Sequence, residues 1–214
     1  MGRAPRTGAS MNARAGTALV LVAVTGLSVG LSLAWRHWTA DSIAQAERQL
    51  QERQWLAVLP QGSYDNQPLL GPVELADSTL RHSRLLAGYR ATRAGKLSAV
   101  ILRSSLQGYG GPIELAIAID AQGRLIGIRV LHQQESPGLG DQLANPTSRW
   151  LDQFIGSRRD IPPEQAWALK RDQGAFDQLA GATVTSRAVI NAIQDALRYF
   201  DAHKPRLTNE TADE

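Results

Sequence analysis

The pattern of apolar and polar positions predicts four strands in the middle of the chain, in stretches rich in apolar residues that are separated by short turns. Leu85–Thr92 and Leu97–Arg103 predict one hairpin, and Ile113–Ile119 and Leu125–Leu131 predict a second, each pair being joined by a short turn that contains glycine. In the third stretch, Ile and Leu alternate with Glu and Ala, the pattern of an antiparallel strand buried on one face. Trp167–Lys170 is a further predicted strand.

A helical period near the C-terminus predicts a helix over Ser186–Asp201. Its apolar residues recur at spacings of three and four: Ile190, Ile193, Leu197 and Phe200. With Thr185 as the N-cap, Val184 and Val189 occupy the two positions of a hydrophobic staple, so we expect the helix to begin just after Thr185. The polar residues after His203 are expected to form a frayed tail.

Three other segments have weaker patterns. Ala40–Leu59 lacks Gly and Pro and predicts a helix that ends at Pro60, whereas Gln61–Pro72, with two Pro and two Gly, predicts a loop or linker. Thr147–Ile155 predicts a short helix. Four of its residues are expected on the inner side: Trp150, Leu151, Phe154 and Ile155.

The N-terminal segment has the composition of a membrane anchor. Residues 15–35 contain no ionisable side chain, and about 20 apolar residues suffice to cross the hydrocarbon core of a bilayer as a helix. A buried core helix would show a polar stripe, which is missing here. A cleavable signal peptide is a second alternative, since Ser32-Leu33-Ala34 has the small residues of a cleavage site. Because the apolar run exceeds the roughly 7 to 15 residues of a signal peptide, we favour an uncleaved anchor.

The charges around this segment predict its orientation. Arg3, Arg6 and Arg14 precede it, and the positive-inside rule keeps such residues in the cytoplasm. The rest of the chain is then expected outside the inner membrane of a bacterium, in the periplasm. The predicted order is a cytoplasmic tail, a transmembrane anchor, a membrane-proximal helix and linker, a globular domain and a polar tail: 1–15, 16–35, 36–72, 73–203 and 204–214.

Composition excludes several classes of function. The three N-terminal arginines account for the net charge of +3, so the globular part is neutral and lacks the basic footprint that nucleic-acid binding requires. The chain has no cysteine, which excludes thiol chemistry and iron–sulfur clusters. The four histidines are too scattered for a recognisable metal site. We therefore predict an α+β protein in which a single transmembrane helix precedes an antiparallel-sheet domain with flanking helices.

The segment Asp177–Ser186 is the first candidate for chemistry. Small residues at positions 180–182 let the backbone approach a bulky ligand, and the segment ends where a helix begins, where free amides and the helix dipole attract phosphate. Taken alone, the segment is better explained as an ordinary helix start than as an anion site.

The turn Gln133–Asp141 is the second candidate. It follows a predicted strand directly, and one Pro and two Gly make it tight and exposed. Leu139 lies between the two glycines, where it is free to contact a flat apolar ligand. An ordinary surface turn explains the same residues when the segment is considered alone.

Taken together, these segments resemble the G subunit of the Rnf-type ion-translocating electron transport complex, also named the Rsx complex. That family is related to the C subunit of the sodium-translocating NADH:quinone reductase. The resemblance covers nearly the whole chain in the order of the family. It runs through the N-terminal anchor, the glycine-rich stretch, the turn, the Trp167 strand and the motif: 16–35, 108–113, 135–140, 167–170 and 177–183.

The family motif has an Asp, two variable positions, Ser or Thr, and then Gly-Ala-Thr, the last threonine carrying FMN through a phosphoester. Asp177, Gly181, Ala182 and Thr183 match this motif, whereas Ala180 stands where Ser or Thr is usual. The turn has Ser136 where Thr is commoner, which keeps the hydroxyl group. Thr185 is a rival acceptor, but only Thr183 completes the spacing of the family.

The resemblance implies covalent FMN, delivered from FAD by a dedicated flavin transferase. It implies attachment at Thr183, and recognition by the transferase through the four matching residues: Asp177, Gly181, Ala182 and Thr183. It also suggests a set of residues around the cofactor, with Gly181 and Ala182 for close approach, Thr185 and Ser186 for the phosphate, and Glu135 and Leu139 near the ring. Lys170 is a further candidate to pair with the flavin or its phosphate.

The implied function is that of an electron carrier with no catalytic residues of its own, assembled with the other subunits of the complex in the membrane. An alternative is a non-redox periplasmic binding or assembly module with a degenerate flavin site, which Ala180 favours. A stand-alone flavin reductase using NADH is a third possibility, but no Gly-x-Gly-x-x-Gly stretch follows a predicted strand.

Overall fold

The computed structural model describes residues 21–32, 35, 55–145 and 147–208. The chain divides into two units, 1–51 and 52–214, and each is described by itself. Residues 21–32 of the predicted anchor are helical with exposed side chains. Within the described ranges, no helix combines the length and the apolar character that a bilayer crossing requires. The helix predicted at Ala40–Leu59 lies mostly outside the described residues, of which positions 55 and 56 are helical.

The second unit is built on a five-stranded antiparallel sheet. The strands follow one another in the order β1-β2-β3-β4-β5. Their bounds are β1 Pro72–Val73, β2 Ser83–Arg93, β3 Lys96–Gln107, β4 Pro112–Asp120 and β5 Leu125–His132. Both predicted hairpins are confirmed, and the antiparallel fold class with them. Apolar-rich stretches on either side of short turns predicted these four strands, whereas the two residues of β1 are too few to form a recognisable pattern.

Apolar residues cover both faces of strand β4, which lies between β3 and β5, and this is more than the sequence predicted. The isoleucines and Leu115 pack into the main core, whereas Ala116 and Ala118 join a second cluster on the opposite face. Val58 and Leu59 cover that second face, and the carbonyl oxygen of Val58 lies so close to Gly127 that a Cβ there would be 1.9 Å away. The expectation of a strand buried on one face was therefore wrong for β4.

The long helix, Thr183–Ala202, packs against the main face of the sheet. It begins two residues before Thr185, with Ala182 as its N-cap, so Thr185 lies inside the first turn. The predicted N-cap was therefore wrong, and so was the staple, because the side chain of Val184 is 51% exposed. This correction places Thr183 at the first helical position.

The chain continues into a short C-terminal helix, Lys204–Thr208. Leu207 is fully buried in the main core. The guanidinium of Arg90 on β2 donates hydrogen bonds to the carbonyl oxygens of Arg206 and Leu207, both at 2.7 Å. The prediction of a frayed tail was wrong for these residues, because one apolar side chain and one arginine hold them on the domain.

The connection between β5 and the long helix is made of short 3₁₀ turns. They are Gly140–Ala144, Trp150–Phe154, Glu164–Ala166 and Lys170–Asp172. The helix predicted over Thr147–Ile155 is thus a shorter 3₁₀ turn, with Phe154 buried and Ile155 exposed.

The strand predicted at Trp167–Lys170 is not a strand of the sheet; only Leu169 makes an isolated bridge, with Phe176. Trp167 and Leu169 are apolar because they are buried in the core, and burial alone does not distinguish a strand from a compact turn.

Candidate functional site

The two segments singled out in the sequence meet in one pocket of about 330 Å³. The turn after β5 forms one wall and the start of the long helix forms the other. Tyr109, from the stretch between β3 and β4, also contributes to the lining. The residues from the two walls are Glu135, Ser136, Leu139, Gly140, Gly181, Ala182, Thr183, Val184 and Thr185.

The close contact between the walls depends on Gly181. Its backbone has a φ of +71°, a conformation that side-chain-bearing residues rarely adopt. A Cβ at this position would lie 2.6 Å from Cδ2 of Leu139, well inside van der Waals contact. A residue with no side chain therefore lets the helix start approach Leu139 in the lining of the pocket.

Glu135 links the parts of the pocket from a buried position. It is 8% exposed, and its Oε1 accepts a hydrogen bond from the backbone N–H of Gly110 at 3.1 Å. Its Oε2 accepts a hydrogen bond from the hydroxyl of Thr185 at 2.5 Å. Gly108 and Gly140 leave room for this carboxylate, because a Cβ at either glycine would lie within 2.3 Å of one of its oxygens. The single carboxylate thus joins the Tyr109 stretch, the turn and the long helix.

Thr183 presents its hydroxyl group at the edge of the pocket. The residue is half-buried, and its Oγ1 donates a hydrogen bond to Oε1 of Gln178 at 3.2 Å. Nη1 of Arg171 lies 3.5 Å from the same hydroxyl oxygen. With its proton directed at Gln178, the oxygen keeps its lone pairs for another partner.

The backbone around Thr183 favours an anion. The amides of Thr183, Val184 and Thr185 have no hydrogen-bond partner among the described residues, as expected for the first turn of a helix. The N-cap, Ala182, has no side chain that could accept from them, and the first turn contains no acid. The positive end of the helix dipole is therefore left without a compensating group beside the hydroxyl.

The other two hydroxyls of the segment are buried and already bonded. Thr185 is fully buried and donates to Glu135, although it still lines the pocket. Ser186 is fully buried, donates to the carbonyl oxygen of Ala182 at 2.8 Å and accepts from the amide of Leu179 at 2.9 Å. Of the three hydroxyls, that of Thr183 is the accessible one.

Asp177 and Lys170 lie outside the pocket lining formed by the described residues and pair with each other at 2.7 Å. The backbone of Asp177 is fixed by two side chains of the Trp150–Phe154 turn. Nε1 of Trp150 donates to its carbonyl oxygen at 2.8 Å, and Oε1 of Gln153 accepts from its amide at 2.8 Å. The carboxylate of Asp177 remains accessible, since its side chain is 64% exposed.

Several residues of the site were not predicted, among them Tyr109, Arg171 and Gln178. Tyr109 is 73% exposed beside the pocket, and its place between glycines was the one available signal in the sequence. Arg171 and Gln178 belong to no recognisable sequence pattern, because only the fold brings them close to Thr183. No group of three or more His, Cys, Asp and Glu side chains suited to a metal ion occurs in the part of the chain that the structure describes.

The arrangement suits a ligand with a flat apolar part and a phosphate. Leu139, Val184 and Tyr109 supply exposed apolar surface, and the helix start supplies free amides next to a reachable hydroxyl. The hydroxyl can serve as the acceptor for a phosphoester, and the amides stabilise the negative charge that such a group carries.

Comparison with known proteins agrees with this picture. The FMN-binding domain family matches residues 108–198. The G subunit of the ion-translocating oxidoreductase complex of Pseudomonas aeruginosa is 44% identical over 192 residues, which cover 89% of this chain and 90% of the relative. The corresponding G subunit from Vibrio vulnificus is 30% identical over 201 residues, which cover 94% of this chain and 95% of that protein.

Two solved structures are more distant. NqrC of Shewanella oneidensis is 23% identical with a TM-score of 0.47, and the match covers 57% of this chain and 61% of that one. The C subunit of the Na(+)-translocating NADH-quinone reductase from Parabacteroides distasonis is 21% identical with a TM-score of 0.43, and the match covers 60% of this chain and 64% of that one. Similarity at this level carries no argument about function.

Proposed function

The chain belongs to the family of G subunits of ion-translocating oxidoreductase complexes, and from this membership we propose that it carries FMN, joined through the phosphate to Thr183, as an electron carrier of such a complex. One observation carries the proposal. Thr183 offers a reachable hydroxyl at the uncapped start of the long helix, on the edge of a pocket within the FMN-binding domain.

The residues present fit this cofactor. The pocket of about 330 Å³ lies at the lower end of the range of small-molecule sites, roughly 300 to 1,000 Å³, so it is suited to part of the flavin rather than to all of it. The left-handed backbone of Gly181 keeps the space beside Leu139 that a Cβ would fill. The unpaired backbone N–H groups of the first helical turn are suited to donate hydrogen bonds to the phosphate.

Attachment is a group transfer from flavin adenine dinucleotide, catalysed by a separate flavin transferase. The hydroxyl oxygen of Thr183 attacks the flavin-side phosphorus, the pyrophosphate P–O bond breaks, AMP leaves, and the hydroxyl proton passes to a base of the transferase. Gln178 accepts the hydrogen bond of the hydroxyl before the reaction and so orients the oxygen. The first-turn amides then hold the phosphodiester, which keeps one negative charge.

Once bound, FMN supplies the chemistry of electron transfer, and the protein supplies position and environment. Leu139 and Val184 offer apolar contact to the ring, and Tyr109 stands beside them. Glu135 acts through the fold, because it fixes the Gly110 backbone and Thr185 at the two sides of the pocket. Thr185 and Ser186 act as supports of the helix start, and the phosphate is held by the amides of their turn.

The transferase and the partner subunits complete the proposal. The exposed Asp177, with Gly181, Ala182 and Thr183, is the surface that we expect the transferase to read. Ala180 is exposed next to this surface and lacks the hydroxyl that is usual in the motif. The electron donor and acceptor are expected among the other subunits of the complex.

We also place the protein in a bacterial inner membrane, with residues 16–35 as a single anchor, the N-terminus in the cytoplasm and the FMN domain in the periplasm. The uncharged composition of residues 15–35 and the arginines before it support this topology.

Intact-mass measurement after co-expression with a flavin transferase tests the attachment. We expect an added mass of FMN less water, located by peptide mapping on Thr183, absent from Thr183→Val and retained in Thr183→Ser and in Thr185→Val. The control Thr185→Val removes the rival hydroxyl and leaves the acceptor in place.

A wild-type chain that stays unlabelled in the presence of an active transferase would overturn the proposal. That result would favour a non-redox binding or assembly module, the alternative suggested by Ala180. A label mapped to Thr185 would overturn the assignment of the acceptor.

A further inference from the structure

Lys170, Arg171 and Arg187 are cationic side chains of the described residues near the start of the long helix, and two of these three are neutralised. Nζ of Lys170 pairs with Asp177 at 2.7 Å, and Nη2 of Arg187 pairs with Asp172 at 2.8 Å. Arg171 has no carboxylate within salt-bridge distance among the described residues. Its charge is therefore uncompensated next to Thr183.

The guanidinium of Arg171 is near the acceptor hydroxyl without being engaged. Its Nη1 lies 3.5 Å from Oγ1 of Thr183 and 3.5 Å from Oε1 of Gln178, both at the long limit of a hydrogen bond. A guanidinium has five N–H donors, and these two long contacts involve one nitrogen. Most of its hydrogen-bonding capacity remains free in the described structure.

The backbone that carries Arg171 is held tightly although the side chain is exposed. Arg171 lies in the 3₁₀ turn Lys170–Asp172, which ends at Gln173 in the left-handed conformation with a φ of 65°. Gly174 then packs against Ala168, where a Cβ would be 2.0 Å from the carbonyl oxygen. The backbone origin of the guanidinium is thus fixed relative to the pocket.

We propose that Arg171 is a positioning residue for the phosphate of the flavin nucleotide, which its guanidinium binds at Thr183. This inference rests on the proposed function and adds a residue to that site. A phosphate esterified to Oγ1 begins one bond from an atom that Arg171 already approaches, and a guanidinium matches phosphate oxygens with paired donors. Lys170, the candidate suggested by the sequence, already forms an ion pair with Asp177, so we assign the phosphate contact to the adjacent Arg171 instead.

The test separates the phosphate from the ring by using two flavins. Full-length protein in detergent, carrying Thr183→Val to prevent attachment, is titrated with FMN and with riboflavin, and flavin fluorescence reports binding. Adding Arg171→Ala should weaken FMN binding about five- to tenfold, as expected for one partly exposed charge-assisted contact, and leave riboflavin binding unchanged. Arg171→Lys should recover part of the loss, and added salt should weaken FMN binding less in Arg171→Ala than in its parent.

Lys170→Ala and Arg187→Ala are matched controls, because each removes a nearby cation that already has a carboxylate partner. Both should change FMN affinity by less than about twofold. An equal loss in Arg171→Ala and Lys170→Ala would overturn the inference, and so would a loss of riboflavin affinity as large as that of FMN.

The proposed function is tested separately, by measuring the mass of the chain that keeps Thr183. If that chain gains the FMN mass and Arg171→Ala binds FMN as its parent does, the proposed function stands and the role of Arg171 is wrong. If that chain gains no mass and the Thr183→Val chain binds neither flavin, the proposed function itself fails.

Discussion

Gly181 shows how much of the site depends on a residue without a side chain. It has the left-handed backbone and also the close contact with Leu139, whereas Gly138 has a φ of +77° and open space for at least 4 Å around the position that a Cβ would take. The two glycines therefore share the backbone requirement and differ in the contact. This difference makes Gly138 a matched control for Gly181.

We expect Gly138→Ala to lower the free energy of unfolding by about 1 kcal/mol, the cost of left-handed backbone for alanine. Gly181→Ala should cost more, because Leu139 must also move away from the new methyl group. Urea unfolding of both variants measures the difference, and Leu139→Ala should abolish it in a double-mutant cycle. Equal costs for the two glycine variants would show that the contact with Leu139 carries no energy.

Sequence reasoning located some residues of the site and not others for a physical reason. Thr183, Glu135 and Leu139 lie in two short segments whose small residues stand out, and the family resemblance singled out these three residues. Arg171 reaches Thr183 only because the 3₁₀ turn and the helix start pack side by side, which no local pattern encodes. The accessibility of the three hydroxyls also depends on where the helix begins, and that boundary was predicted three residues too late.

At the scale of elements, the long helix is joined to the sheet by a buried carboxylate as well as by apolar contacts. Asp195 is 4% exposed, and its Oδ2 accepts from the backbone N–H of His82 at 2.7 Å and from the hydroxyl of Ser83 at 3.3 Å. These donors lie at the start of β2. The helix that carries Thr183 is thereby fixed to the sheet at a point away from the pocket.

We expect Asp195→Ala to lower the free energy of unfolding by about 2 to 4 kcal/mol, because the buried hydroxyl of Ser83 and the part-buried amide of His82 lose their acceptor. Asp201→Ala is the control on the same helix. It removes only the exposed pair with Arg159 and should cost less than about 1 kcal/mol. Denaturant unfolding checks both values, and similar costs would show that the buried carboxylate does not fix the helix.

The elements that the sequence predicted well are those with a long, regular period or an apolar-rich stretch between turns. The long helix and strand β4 repeat their apolar residues regularly, although β4 is buried on both faces, and β2, β3 and β5 are apolar-rich stretches bounded by short turns. The 3₁₀ turns between Gly140 and Asp172 are held by apolar anchors such as Phe154 and Leu169, together with side-chain contacts to the backbone. Such segments have no period, and the strand expected at Trp167–Lys170 shows how burial alone misleads.

At the scale of the whole molecule, the proposed topology is testable because the chain contains no cysteine. Single cysteines introduced as Ser10→Cys and Gln122→Cys give clean reporters on the two sides of the proposed anchor. In intact spheroplasts, a membrane-impermeant maleimide should label Gln122→Cys and should label Ser10→Cys only after lysis. Labelling of Ser10→Cys before lysis would contradict the proposed orientation of the anchor.

Thr183 is the first residue of a 20-residue helix, and Thr185 and Ser186 directly after it are fully buried. An FMN attached there, as proposed, would be linked to a fixed stretch of backbone, so its freedom would be rotation about the bonds of the threonine side chain, the phosphoester and the ribityl chain. The distance over which the flavin ring can move is therefore set by the length of this linkage rather than by a flexible loop of the protein. Electrons that must cross a wider gap would then require the whole domain, or the subunit that receives them, to travel.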